Sequence, residues 1–100
     1  MVMVNIEEST VLIDKEEINL LHFPKEDVLY RTADKIKREE ELKKALSLGN
    51  LNHFKVKIFF EDIEGAKSVD TTIWGLTTTS VILKKGVTIP ISRVNGIEFI

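Results

Sequence analysis

"FKVKIFFEDIEGAKSVDTTIWGLT", residues 54–77, is where the chain changes period. Phe54, Val56, Ile58 and Phe60 alternate with Lys55, Lys57, Phe59 and Glu61, the two-residue period of a half-buried strand. "IEGA" then reads as a turn. "KSVDTTIWGLT" is rich in β-branched and aromatic residues, with Val69, Thr71 and Ile73 on one face and Asp70, Thr72 and Trp74 on the other. Gly75 marks a bulge or bend in this long second strand.

Downstream, "SVILKK" reads as a third strand and "VTIPI" as a fourth. Gly86 fits the left-handed position of the hairpin between them. Pro90 has no N–H to give to a ladder, so that position faces an edge. "SRVNG" is a short turn and "IEFI" a last strand.

Upstream, "RTADKIKREEELKKALSLGN" (31–50) carries good helix formers with no proline and no glycine before Gly49. The expected helix covers about 32–48. Its apolar stripe is Ala33, Ile36, Leu42, Ala45 and Leu46. Glu39 with Lys43, and Glu40 with Lys44, are i,i+4 pairs. Gly49-Asn50 reads as the stop. In residues 1–30, "STVLID" is a candidate extra strand at a sheet edge. "EEINLLHFPKEDVLY" carries Ile18, Leu20, Leu21 and Phe23, enough apolar surface to pack on the core.

The expected fold is therefore α+β, one domain over 1–100. An N-terminal segment and one amphipathic helix precede a five-stranded antiparallel barrel over 52–100, closed to remove exposed edges. A composition of 43% hydrophobic and 30% charged residues suits such a globule.

The stretches "VKIFFEDIEG", "IWGLTTTSVILKKG" and "VTIPISRVNGIEF", after an amphipathic helix, resemble the Sm-like/SH3-like small-barrel superfamily at the level of topology. That resemblance implies RNA binding through two loops of a ring-forming subunit. The loop carrying Asp and Asn in Sm-like proteins here reads Thr77-Thr78-Thr79. In the second loop only Arg93, Asn95 and Gly96 match in kind. "GLTTTSVILKKG" with "IPISRVNGIEF" is also similar to small bacterial PH-like or GRAM-like domains. Those end in a helix, for which this sequence has no room after Ile100.

Composition and motifs narrow the function. There is no cysteine, so thiol catalysis and Cys-ligated metals are excluded. The N-terminus lacks the pattern of a signal peptide, and no apolar run spans a bilayer; a cytoplasmic location and no membrane partner are expected. The net charge is −2, against the basic balance usual in nucleic-acid binders. His22 and His53 lie in no catalytic motif and read as surface or packing residues. Glu61, Asp62 and Glu64 gather in a solvated turn, with too few ordered oxygen ligands for calcium. "GAKS" (65–68) lacks P-loop spacing. No cofactor, metal or enzymatic activity is expected.

The basic candidates are Lys55, Lys57, Lys67, Lys84, Lys85 and Arg93; lysines at strands and tips also deter edge-to-edge pairing. Trp74 and Phe59 are outward aromatics that the helix or N-terminal segment is expected to cover, with a stacking platform as the alternative. The expected function is a small binding or adaptor module for a protein partner, with Lys84, Lys85, Arg93, Asn95 and Trp74 as its surface and the 84–93 hairpin as its centre. An RNA-binding Sm-like oligomer and a structural homodimer are the alternatives, with nucleic acid the less favoured partner.

Overall fold

Two separate sheets and one long helix make up residues 10–100, the part of the chain described by the computed structural model. The strands are β1 (Val11–Leu12), β2 (Val56–Asp62), β3 (Gly65–Thr71), β4 (Ile73–Leu76), β5 (Ser80–Leu83), β6 (Thr88–Pro90) and β7 (Val94–Phe99), and the helix α1 is Thr32–Asn52. One sheet has the order β1-β3-β2-β7, the other β4-β5-β6. The fold is α+β, but the five-stranded closed barrel is corrected to seven strands with no ladder joining the sheets.

The two extra strands have clear origins. Residues from "STVLID" add β1, parallel to β3, with Val11 opposite Lys67. The long second strand breaks at Thr72 into β3, which pairs with β2, and β4, which pairs with β5. The Thr72 hydroxyl donates to the His53 carbonyl at 3.2 Å, tying the break to the end of α1. The register also shifts between Ile73 and Gly75, where a bulge was expected.

A closed barrel would need pairing between the two sheets, and none occurs among the described residues. α1 packs on both β4 and β7. The β7 carbonyl of Val94 accepts from Arg38 on α1 at 3.1 Å. β6 is three residues long, and its Val87, Ile89 and Ile91 positions face β5, leaving Pro90 to face the free edge. A 3₁₀ turn at Ile91–Arg93 then breaks the chain before β7.

The strand faces follow the sequence. Val56, Ile58 and Phe60 are buried, as are Val69, Thr71 and Ile73, while Asp70 and Trp74 are exposed. Phe54 falls before β2 and is exposed. Val81, Leu83, Ile89 and Val94 complete the core. From the N-terminal segment Ile18 is buried, Leu21 packs against the core, and the Phe23 ring lies 6.1 Å from that of Phe60.

The helix departs from its expected stripe. Its buried residues are Arg38, Leu42, Ala45 and Gly49, a proper i, i+4, i+7, i+11 face whose ends are a cation and a glycine. Ala33 and Ile36 are exposed instead. Gly49 is not the stop, because α1 runs through it to Asn52. A Cβ at Gly49 would lie 2.5 Å from the Ile73 carbonyl oxygen and 3.0 Å from Thr72 Cγ2, so glycine is there for close approach to β4. The left-handed cap falls on His53 (φ 56°), whose N–H donates to the Gly49 carbonyl at 2.9 Å. The Glu39–Lys43 pair forms at 3.1 Å. Lys44 instead places its ammonium 4.8 Å from the Phe99 ring centroid.

Candidate functional site

Trp74 and Lys84, two of the five residues expected to share one binding surface, meet at a surface depression of about 310 Å³. Lys15, His53 and Lys55 also line it. The grouping arises from three chain ends: the start of β4, the cap of α1 and the close of β5. Ile73 is fully buried beneath, which turns the next residue, Trp74, outward. Trp74 is 51% exposed, so among the described residues the helix and the N-terminal segment leave half of it uncovered, against expectation. Phe59 does gain cover: it is half-buried and shares a depression with Thr10 and Leu12.

Charge in this depression is unevenly paired. Lys15 lies 3.3 Å from Glu16, and Asp70, also in the lining, is held by Lys57 at 2.9 Å. Lys55 and Lys84 have no carboxylate partner among the described residues. Glu16 is held below its ordinary pKa, first by a backbone hydrogen bond, then by Lys15, with a smaller contribution from Lys85. Lys85 itself sits at the hairpin tip with φ 65°, beside Gly86 at φ 75°.

Arg93 and Asn95 lie elsewhere and do different work. Arg93 is buried; its Nε donates to the Glu61 carbonyl at 3.0 Å and Nη1 to the Glu26 carbonyl at 2.8 Å. It is a structural tie between the N-terminal segment, β2 and the turn before β7. Asn95 Nδ2 donates to Glu61 Oε2 at 2.8 Å. The threonine loop is equally structural: Thr77 Oγ1 accepts from the Ser80 N–H at 2.9 Å and the Thr79 N–H at 3.2 Å.

A second feature was not legible in the sequence. A groove of about 650 Å³ runs between the first half of α1 and the β4–β5 turn, with Ile36, Leu42, Leu76 and Ile91 among its lining. Ile36, 52% exposed, lines the groove from outside the buried Arg38–Leu42–Ala45–Gly49 face of the helix. Lys35, Glu39 and Lys43 stand along the helix side. Arg38 also reaches this groove. It forms a fork with Asp27, at 2.9 and 2.8 Å, while its buried Nε has no acceptor among the described residues. The Arg38 guanidinium holds the Asp27 carboxyl below its ordinary pKa, outweighing the opposing effect of burial.

The acidic turn is self-satisfied. Asp62 accepts from the N–H groups of Glu64 and Gly65, each at 3.1 Å, and from Lys67 at 2.9 Å. Burial pushes the Asp62 carboxyl up, but these donors more than offset it and leave it below its ordinary value. Asp62 in turn raises Lys67. No cluster of three metal-ligating side chains occurs among the described residues, and no helix there is long and apolar enough to cross a membrane.

No family model, curated protein or solved structure matches this chain.

Proposed function

We propose that this chain is a non-enzymatic, cytoplasmic protein-binding module, and that a partner's amphipathic segment lies in the groove between α1 and the β4–β5 turn. The observation that carries this reading is Ile36. It is half exposed on the helix side of a groove whose floor includes Leu42, Leu76 and Ile91. An exposed apolar side chain beside an apolar floor is the kind of position that an amphipathic partner segment covers. The helix side of the groove runs from Thr32 to Lys43, with Lys35, Glu39 and Lys43 among its charged residues.

The Sm-like resemblance is supported by the element order: helix, hairpin, bent second strand, second hairpin, 3₁₀ turn and last strand. RNA binding by the corresponding loops loses support, because Arg93 is buried and gives Nε and Nη1 to backbone carbonyls. Homodimerisation by β-edge pairing is disfavoured by Pro90 on the outer edge of β6 and by Arg38 on the Val94 carbonyl of β7.

Selection from a displayed library of amphipathic peptides tests the proposal. Binders should converge on spaced apolar residues and lose about ten- to a hundredfold in affinity on Ile36→Asp, the equivalent of one apolar side chain of about 1.5–3 kcal/mol. Trp74→Ala should leave them unaffected. A selection without convergence, or binders indifferent to Ile36→Asp, would overturn the proposal.

A further inference from the structure

We propose that the depression around Trp74 is a second docking site, for an acidic peptide segment that packs one apolar side chain on the indole and places carboxylates on Lys55 and Lys84. It is independent of the α1 groove. The two meet different stretches of α1, Thr32–Lys43 and the His53 cap, and ten residues of helix separate them by about 15 Å.

Three observations converge. Trp74 is the chain's only tryptophan and stands half-exposed on a strand whose preceding residue is locked in the core. A wide, rigid aromatic bordered by cations is the usual anchor of a protein interface. Asp70, the acid in the lining, is engaged by Lys57, and Lys15 of the lining is engaged by Glu16, so Lys55 and Lys84 are left as net positive charge. Finally, the platform is held by tight backbone contacts: the Thr72–His53 hydrogen bond and the Gly49–Ile73 approach fix α1 against β4. A preformed surface loses little entropy on binding.

The chemistry favours carboxylates on a peptide over phosphates on a nucleic acid. Nucleic-acid affinity grows with the number of phosphates neutralised, and here two free lysines sit on a chain of net charge −2. Asp70 in the lining can accept a peptide N–H, a donor that the nucleic-acid backbone lacks.

The single tryptophan makes the site self-reporting. The full chain would be titrated, at low and high salt, with a synthetic acidic hexapeptide carrying one central leucine, and with its amide counterpart in which every Glu is Gln. Parallel titrations would use a uridine oligonucleotide and phosphatidylserine vesicles. The expected result is a saturable shift of Trp74 emission with the acidic peptide, weakened by salt and roughly tenfold weaker in Lys55→Gln/Lys84→Gln. Both lysines are exposed, and circular dichroism would verify that this variant folds. Ile36→Asp should change nothing. No shift, an equal response to the amide peptide, or a stronger response to the oligonucleotide or the vesicles would overturn the proposal.

Discussion

Replacing Gly49 by alanine tests the contact that positions both candidate sites. Two effects oppose each other. Alanine is favoured over glycine within a helix by about 1 kcal/mol, and Gly49 lies three residues inside the end of α1. Against that, the new Cβ would stand 2.5 Å from the Ile73 carbonyl oxygen. A carbon and a carbonyl oxygen ordinarily keep about 3.3 Å apart or more. The helix would have to back away by most of an ångström, and the obstacle is backbone, not a side chain able to rotate aside. Overpacking on this scale costs about 1–3 kcal/mol. The clash should prevail, for a net loss of up to about 2 kcal/mol and a fall in Tm of up to about 16 °C. The assay is thermal and urea unfolding followed by circular dichroism, with an unchanged urea slope showing that only stability moved. Gly96→Ala is the control: a Cβ there meets nothing within 4 Å, so its stability should stay within about 0.5 kcal/mol of the parent. Gly49→Ala as stable as the parent would refute the reasoning, because helix propensity would then outweigh the α1–β4 contact.

Asp27→Asn should cost about 2–4 kcal/mol in urea unfolding, since it leaves the buried Arg38 uncompensated; Asp27→Leu combined with Arg38→Met should recover part of that loss. The carboxyls of Asp27 and Asp62 both have lowered folded-state pKa values. Their contribution is therefore present above the ordinary Asp value near 4 and is lost as pH falls through the lower folded values. The urea midpoint should decline below about pH 4, and Asp62→Asn should flatten that decline; an identical acid limb in the variant would contradict it. His53→Gly should raise stability by about 1 kcal/mol, because φ 56° strains any residue with a Cβ, and a lower Tm would count against the left-handed cap.

The sequence by itself determined the local features. Alternation placed Val56, Ile58, Phe60, Val69 and Ile73 inside, Gly86 in its turn and Pro90 at an edge, because period, φ preference and a missing N–H act within a few residues. It named Trp74 and Lys84 within one expected surface, together with Lys85, Arg93 and Asn95. Only the tertiary structure decided what depends on distant partners. α1 hides its buried face behind Arg38 and Gly49, which no hydrophobic pattern marks, since one is neutralised by Asp27 and the other admits the β4 backbone. Arg93 looked like a phosphate ligand until the carbonyls of Glu26 and Glu61 were found to occupy it. The strands form two sheets with α1 packed on both β4 and β7, and such contact between remote elements leaves no mark on sequence spacing. The joining of Trp74 to Lys15, Lys55 and Lys84, and the groove over Ile36, have the same origin: surfaces formed where segments far apart in the chain meet.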